Sequence, residues 1–319
     1  MRNILIFARK NSRVTIFIYN NSTLFYTSLY VRQYAKSTRF DCAESWVILS
    51  DIEQRIKAKI EAIGTPLKDW DIQINYGIKT GFNDAFIIDG EKRAELIAKD
   101  PKSAEIIRPI LRGCDIKRYS YEFNDKYLIC TFPSLKIDIE QYPAVKGFLE
   151  GFKAKLKQTG EILSKSEINN IIGYAKNHNI EVKEKDLLTS RKKTKNKWFE
   201  TQDSINYWED FSKQKIIYPD ISEKLNFQII EEEIYFNNTI YFITSETEDL
   251  DYLLKFLNSN LIDWYYKTLS VQLGEKAVRM FTIYVLNIPI PNDRNRDNIY
   301  DSYQLTEEEK TFIENLYCS

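Results

Sequence analysis

The sequence predicts an α+β fold in which short strands and amphipathic helices alternate irregularly along the chain. Runs rich in β-branched and aromatic residues recur throughout, and they are typical of strands. Three longer stretches place apolar residues on one face at helical spacing. Hydrophobic residues make up 43% of the 319 positions, which is enough for a buried core in one large or two modest domains.

The first 35 residues predict strands. Three runs carry β-branched and aromatic residues, at Ile4–Ala8, Val14–Tyr19 and Leu24–Val31. Asn20-Asn21-Ser22 has the composition of a turn between the second and third runs. We therefore expect a small β piece at the start of the chain.

The clearest helix is predicted from Ser50 to Gly64. Ser50 and Glu53 have the spacing of a capping box, in which Glu53 reaches back to the Ser50 amide. The isoleucines at positions 52, 56, 60 and 63 fall on one helical face, and Gly64 followed by Pro66 ends the pattern. This helix is expected to connect the β piece to the main domain.

The rest of the chain mixes both kinds of element. Further helices are predicted at Tyr142–Leu156 and Asp249–Leu269. Strands are predicted at Ala85–Asp89, Lys126–Phe132, Lys215–Tyr218, Phe227–Ile230, Ile234–Phe236, Thr239–Ile243 and Phe281–Ile290, with a turn at Asn237-Asn238. Residues 160–197 are polar and lysine-rich, so surface helix and loop are expected there.

Charge, cysteine usage and hydropathy exclude several classes of protein. The formal net charge is −1, so binding to a polyanion has to depend on local basic patches. The four cysteines are scattered and none lies in a C-x-x-C pair, which argues against a zinc site and favours reduced thiols. No run approaches the roughly 18 apolar residues of a membrane span, and a cytoplasmic location without membrane partners is expected.

Common catalytic motifs are absent. There is no G-x-G-x-x-G and no P-loop to cradle a nucleotide phosphate. The single histidine, His178, lies in a polar stretch and predicts a surface residue, which leaves no Ser–His–Asp arrangement.

Four basic clusters are candidate sites for phosphate and base contacts. The densest joins Arg191, Lys192, Lys193, Lys195 and Lys197 to Trp198, and a second contains Arg108, Arg112, Lys117, Arg118 and Tyr119; smaller ones contain Lys79, Thr80 and Asn83, and Lys276 and Arg279. Lysine and arginine neutralise phosphates, whereas arginine, lysine and asparagine also read base edges. Solvated loops and ordinary ion pairs explain each cluster equally well when it is taken alone.

Taken in order, these segments resemble the TaqI-like C-terminal specificity domain. The resemblance depends on Gly77–Ile88, Arg108–Tyr119, Trp198–Glu200, Lys215–Ile221, Leu257–Ser259 and Ile288–Pro291, and it covers about residues 65–292. Several motifs in the expected order make it specific, because any one of them alone arises by chance.

The resemblance implies a target-recognition domain that binds double-stranded DNA for an adenine-specific DNA methyltransferase, often with a fused nuclease as in restriction-modification enzymes. It implies that residues 1–49 are C-terminal strands of a doubly wound methyltransferase sheet, residues 50–70 a connecting helix and residues 71–319 the target-recognition domain. The Pro-Pro loop with which such methyltransferases hold the flipped base is missing. We therefore expect no catalytic residue, metal or cofactor in this chain, and S-adenosylmethionine in a fuller enzyme of which this chain is a fragment or a separate subunit.

Two alternatives stay open at this point. One is a complete S-adenosylmethionine-dependent DNA adenine methyltransferase whose cofactor pocket has no recognisable motif. The other is a degenerate remnant that does not bind DNA, since unpaired strand edges in residues 1–35 invite association.

Overall fold

A computed structural model of the protein describes residues 2–9, 13–20, 36–38, 49–117, 120–270, 272–273, 277–293 and 298–318. Its contacts divide the chain into two units. Unit 1 comprises residues 1–64 and 300–319, and unit 2 comprises residues 65–299. The domain boundaries predicted after residues 49 and 70 stay predictions.

Helices and strands alternate along the described part, and the predicted α+β class is confirmed. The helices are α1 Asp51–Ile63, α2 Asn83–Phe86, α3 Gly90–Lys99, α4 Pro143–Glu150, α5 Lys153–Leu156, α6 Lys165–Asn177, α7 Leu250–Leu257, α8 Asn260–Leu269, α9 Thr282–Val285, α10 Ile299–Ser302 and α11 Glu307–Asn315. The strands are β1 Arg2–Arg9, β2 Arg13–Asn20, β3 Lys36–Thr38, β4 Thr65–Pro66, β5 Gln73–Tyr76, β6 Ile87–Asp89, β7 Ile107–Leu111, β8 Ile116–Lys117, β9 Ser120–Tyr121, β10 Lys126–Ile129, β11 Lys215–Pro219, β12 Ile221–Ser222, β13 Gln228–Ile230, β14 Tyr235–Phe236, β15 Ile240–Thr244, β16 Gln272–Leu273, β17 Ala277–Arg279 and β18 Pro289–Ile290. No helix of these ranges is long and apolar enough to cross a membrane.

Unit 1 contains an antiparallel sheet in the order β1-β2-β3, the helices α1 and α11, and all of α10 except its first residue. The first two predicted strands are confirmed, and the third, Leu24–Val31, lies outside the described residues. The capping box at the start of α1 is also confirmed, because Glu53 Oε2 accepts hydrogen bonds of 2.6 Å from both the Ser50 amide and its hydroxyl. Lys59 Nζ reaches the buried carboxylate of Glu309 on α11 at 2.7 Å.

Two four-stranded sheets dominate unit 2, in the orders β14-β7-β10-β6 and β13-β11-β15-β5. Strand β14 runs parallel to β7, and the remaining pairs of both sheets are antiparallel. The turn of residues 237–239 leaves β14 in the first sheet and enters β15 in the second. This three-residue turn is therefore one of the connections between the two sheets.

An aromatic cluster fills the space next to this connection. The Phe211 ring stacks on Tyr235 of β14 at a centroid distance of 4.6 Å and contacts Phe242 of β15 at 4.8 Å. Beside it lies the buried Lys215, whose Nζ donates to the carbonyls of Phe211, Lys213 and Glu232 at 2.8–2.9 Å. Burial lowers the pKa of the Lys215 ammonium to about 8. The stacked aromatic rings, together with the three hydrogen bonds of the Lys215 ammonium, hold the segment of residues 211–215 against both sheets.

The predicted helix Asp249–Leu269 is two helices, α7 and α8. The break falls at Asn258, whose side-chain amide accepts from the Phe227 amide at 2.9 Å and donates to the Phe227 carbonyl at 2.8 Å. Ser259 then caps α8 by accepting from the Ile262 amide at 3.2 Å. The helix is thus interrupted although its apolar face continues, because Asn258 bonds to the backbone of Phe227 and Ser259 starts a new helix as its N-cap.

Three other sequence predictions differ from the structure. Residues 83–86 form the helical turn α2, so the strand predicted at Ala85–Asp89 is confined to β6. The predicted strand Phe281–Ile290 contains α9 and only two paired residues, because Pro289 has no amide hydrogen to extend a ladder. The predicted helix Tyr142–Leu156 is interrupted between α4 and α5, where Gly151 lies against the Tyr174 ring.

The single histidine is not fully solvated. His178 follows the last residue of α6 and is half-buried, with Nδ1 2.9 Å from the Tyr174 carbonyl oxygen and its ring 4.1 Å from the Tyr174 ring. The prediction of a surface residue missed this contact because residues four apart meet only once the helix has formed.

Candidate nucleic-acid interface

The turn of residues 237–239 is held from both sides by the segments that carry two of the sequence motifs. The Asn237 amide donates to the Leu111 carbonyl at 3.0 Å, and the Asn238 amide donates to the Ile78 carbonyl at 3.1 Å. The Gly113 amide donates to Thr239 Oγ1 at 2.8 Å, and Thr239 Oγ1 donates to Asn237 Oδ1 at 2.6 Å. The motifs around residues 77–84 and 108–117 are therefore neighbours in space, one on each side of this turn.

Gly77 permits the close approach on one side. Its amide donates to the Ile240 carbonyl at 2.8 Å. A Cβ atom at this position would lie 2.0 Å from the Asn237 carbonyl oxygen, well inside van der Waals contact. The lack of a side chain at residue 77 is what allows the turn to pack directly against the motif.

A polar cleft opens between the turn and the first motif, and we name it the Asn238 cleft. It measures about 400 Å³ and is lined by residues 79–84, Lys155, Asp186 and Asn238. Lys79 and Asn83 are exposed, whereas Thr80 is buried and donates from Oγ1 to Asn83 Oδ1 at 2.7 Å. Of the predicted site residues, the structure thus brings Lys79, Thr80 and Asn83 together around Asn238.

Two ionisable groups of this cleft, Asp84 and Lys155, have pKa values shifted toward their neutral forms. Burial raises the pKa of the Asp84 carboxyl, and the nearby Asp186 raises it further. Burial lowers the pKa of the Lys155 ammonium, which donates to the Thr189 carbonyl at 2.7 Å. The cleft is therefore polar without a strong excess of either charge.

A second cleft opens on the other side of the turn, and we name it the Arg112 cleft. It measures about 450 Å³ and is lined by residues 112–114, residues 219–221, Asn237 and Thr239. Arg112 forms a bidentate pair with the buried Asp115, with Nε–Oδ2 and Nη2–Oδ1 distances of 3.1 and 3.0 Å. Burial of Asp115 tends to raise the pKa of its carboxyl, but the hydrogen bonds from Arg112 and Asn124 outweigh it and the pKa is lowered.

Arg279 reaches the same cleft from β17. Its Nη1 lies 3.4 Å from Asp220 Oδ2, and its guanidinium lies over the Phe281 ring at 5.5 Å. The structure therefore brings Arg279 and Arg112, 167 positions apart in the chain, to the lining or edge of one cleft.

The basic run 191–197 separates into interior and surface residues. Lys192, Lys193, Lys195 and Lys197 are exposed, and we call them the lysine loop. Lys192 and Lys79 both act on Asp203: burial raises the pKa of that carboxyl, and the two lysines counteract the rise. Arg191, directly before Lys192, donates to the carbonyl of Thr80 at 2.8 Å, so the lysine loop begins next to a segment that lines the Asn238 cleft.

Arg191 corrects the prediction that all five cations face a ligand. Its guanidinium is 2% exposed and donates to the Thr80 carbonyl at 2.8 Å, the Leu156 carbonyl at 2.7 and 2.9 Å and the Trp198 carbonyl at 2.7 Å. Burial lowers its pKa to about 10. Because these donors are engaged in the interior, Arg191 supports the loop from behind and is not available to a phosphate in this conformation.

The other predicted residues occupy different positions. Trp198 is half-buried beneath Lys153, whose Nζ lies 4.9 Å from the indole ring, and Arg108 pairs with Glu233 at 3.2 Å outside both clefts. Lys117 is exposed and donates to the Cys114 carbonyl at 3.1 Å. Arg118, Tyr119 and Lys276 lie outside the described residues, and within those residues no three His, Cys, Asp or Glu side chains cluster as metal ligands.

Sequence reasoning missed the central feature. Asn238 and Thr239 were expected only as turn residues, and Lys155 and Asp186 were not singled out at all. The asparagine pair between two short strands is the one signal that pointed to this place, because it predicts an exposed turn. Its position between the two motifs depends on pairing across more than 120 residues, which local patterns do not carry.

Comparison with known proteins agrees with the sequence resemblance. A family model described as the TaqI-like C-terminal specificity domain matches residues 108–290. The type II methyltransferase M.XhoI of Xanthomonas vasicola is 21% identical over 253 residues, which are 79% of this chain and 40% of that protein. The chain thus spans well under half the length of this curated relative.

Two solved structures are also similar to this chain. One is the type IIL restriction-modification enzyme MmeI in complex with DNA, with 13% identity, a TM-score of 0.43 and coverage of 70% of this chain and 25% of that one. The other is the type IIG restriction endonuclease BpuSI, with 15% identity, a TM-score of 0.45 and coverage of 84% and 28%. The family model takes in both sides of the Arg112 cleft, the lysine loop and the turn of residues 237–239. Because that match covers more than half of the 319 residues, the chain belongs to the family of TaqI-like C-terminal specificity domains.

Proposed function

We propose that this chain recognises a specific sequence in double-stranded DNA on behalf of an adenine-specific DNA methyltransferase or a restriction-modification enzyme. The observation that carries the proposal is the meeting of two distant basic motifs at one hydrogen-bonded turn, beside the lysine loop, in a chain of the specificity-domain family. Local cations of this kind supply affinity for DNA even though the net charge of the chain is −1.

In this proposal the interface divides into two parts. The exposed ammonium groups of the lysine loop hold phosphates, which fixes the position of the domain on the duplex without choosing a sequence. The turn and its two clefts present amide, hydroxyl and guanidinium groups, which are the groups that read base edges. A fixed backbone at the turn favours specificity, because little side-chain or loop entropy is lost on binding.

Methyl transfer belongs, in the same proposal, to a methyltransferase region that acts with this chain in the cytoplasm and uses S-adenosylmethionine as methyl donor. A nuclease region can accompany it. The sequence has neither a glycine-rich nucleotide loop nor the Pro-Pro loop for a flipped adenine, so its residues do not fit those two roles. Unstacking the target base costs a few kcal/mol, and interactions made by this chain would offset that cost.

The lysine loop provides the first test. We expect the double substitution Lys192→Gln and Lys193→Gln to weaken binding to duplexes of any sequence, because both side chains are exposed and binding to phosphates does not depend on sequence. The slope of log K against log salt should fall by about 0.9 for each phosphate that is no longer neutralised. Fluorescence anisotropy with a labelled duplex, from low to moderate ionic strength, measures both quantities.

The matched control removes two equally exposed lysines elsewhere in unit 2, Lys99 and Lys102, which pair with Glu95 and Gln141. Lys99→Gln with Lys102→Gln should leave the salt slope unchanged. An unchanged slope in the lysine-loop variant would remove that loop from the interface. A folded wild-type chain that retains no duplex at low ionic strength would overturn the proposed function itself.

A further inference from the structure

The Asn238 cleft carries a balanced charge. Lys79 and Lys155 supply two cations, and Asp84 and Asp186 supply two carboxylates. A phosphate in this space would approach two anions as well as two cations, and the Lys155 ammonium is already bonded to the Thr189 carbonyl. The cleft therefore suits an uncharged polar group, whereas the lysine loop at its rim suits phosphate.

Two amide side chains line this space, and they differ in how many of their hydrogen-bonding groups are still available to a ligand. Asn83 Oδ1 already accepts from Thr80 Oγ1 at 2.7 Å, which leaves its NH₂ group to donate. Asn238 is exposed on a turn whose backbone is held by hydrogen bonds at residues 237, 238 and 239. Within the part of the chain that the structure describes, the side-chain amide of Asn238 makes no hydrogen bond, so both its NH₂ donor and its carbonyl acceptor are available to a ligand.

The pattern of donors and acceptors selects among the bases. Adenine presents an exocyclic NH₂ donor next to the N7 acceptor in the major groove, and an asparagine amide matches both at once. Guanine presents two acceptors there, which would leave the side-chain carbonyl oxygen of Asn238 facing an acceptor without a donor. Cytosine presents only the NH₂ donor, and it would leave the amide donor of Asn238 unmatched.

We infer that Asn238 is the specificity-determining residue for one adenine of the recognition sequence, whose major-groove edge enters the space between Asn238 and Asn83. The inference rests on the proposed function and names which group at that surface chooses a base. Lys79, which is exposed at the lining of the cleft, and Lys192 of the lysine loop hold the phosphates next to this adenine.

Selection from a pool of random duplexes tests the inference with the full chain. The wild-type chain should select a defined sequence with adenine at one or more positions. Asn238→Ala should lose roughly 5- to 150-fold of the discrimination for adenine at one position, with little change in binding to unselected duplex. Asn238→Asp, which only accepts hydrogen bonds, should shift the preference at that position toward cytosine.

The control and the outcomes separate the inference from the proposed function. Asn170→Ala on α6, also an exposed asparagine, should preserve the selected sequence at every position. If both Asn238 variants melt like wild type and keep the adenine preference at every position, the inference is overturned while the proposed function stands. If the folded wild-type chain selects no sequence, both are overturned together.

Discussion

At the scale of single residues, neighbouring cations of one sequence cluster have different roles, one in the interior and the others at the surface. Arg191 is buried among backbone carbonyls, whereas Lys192 and Lys193 directly after it are exposed. The chemistry of the two side chains explains the division: a planar guanidinium with five donors can saturate several carbonyls at once, and an ammonium on a flexible stem keeps its charge in water more easily. Composition alone does not distinguish these roles.

Removing Arg191 should therefore destabilise the chain and leave the lysine loop exposed. We expect Arg191→Ala to lower the free energy of unfolding by about 3 kcal/mol, because the carbonyls of Thr80, Leu156 and Trp198 lose their buried donor. Lys192→Ala, one residue away, should change it by less than about 0.5 kcal/mol. Urea unfolding followed by fluorescence measures both values, and equal losses for the two variants would contradict the interior role of Arg191.

At the scale of elements, sequence patterns predicted the helices and strands whose boundaries depend on residues close together in the chain. Helix α1 was predicted closely because its capping box, apolar face and terminating glycine lie within 15 positions. The break between α7 and α8 was missed, since it depends on Asn258 binding the backbone of Phe227. The apolar run 281–290 was misread because it lacks the alternation that distinguishes a strand from a short helix.

The candidate site was likewise predicted in part: its motifs could be found from the sequence, but the place where they meet could not. The motifs that meet at the turn were found from their residues, because glycines and cations at fixed spacing are visible in the sequence. Their meeting point was not, since the Gly113–Thr239 and Asn238–Ile78 hydrogen bonds join segments more than 120 residues apart. Burial of Arg191 was missed for the same reason, as its partners include Thr80, 111 positions earlier.

The fit between the Gly77 segment and the turn gives a prediction about two glycines. Gly77→Ala should lower the free energy of unfolding by about 3 kcal/mol, because the added Cβ would meet the backbone of Asn237 and neither segment can move without breaking the hydrogen bonds at Ile78 and Ile240. Gly147→Ala, an exposed position within α4 where a Cβ meets nothing within 4 Å, should instead raise it by up to about 1 kcal/mol. Chemical denaturation of the two variants beside wild type decides the matter, and a Gly77→Ala chain as stable as wild type would show that the packing at this turn is loose.

At the scale of the whole molecule, each unit contains a buried carboxylate with a lowered pKa. In unit 2 this is Asp115, held by Arg112 and Asn124. In unit 1 it is Glu309, where burial tends to raise the pKa of the carboxyl but the hydrogen bonds from Lys59 and Thr306 outweigh it and the pKa is lowered. A carboxyl whose pKa is lower in the folded state contributes stability above its ordinary pKa and loses that contribution as the pH falls through its folded pKa.

Acid should therefore remove one stabilising contribution from each unit, and the two can be followed separately. The stability gap between wild type and Asp115→Asn should be constant above about pH 5 and close as the pH falls below the ordinary Asp value of 3.8. Tryptophan fluorescence follows this gap, because four of the five tryptophans, at positions 70, 198, 208 and 264, lie in unit 2.

Glu309→Gln should show the same closing gap below the ordinary Glu value of 4.5, but in the helical circular dichroism signal more than in the fluorescence. A gap that keeps its size down to about pH 2 in either variant would mean that ionisation of that carboxyl contributes nothing to the stability of its unit.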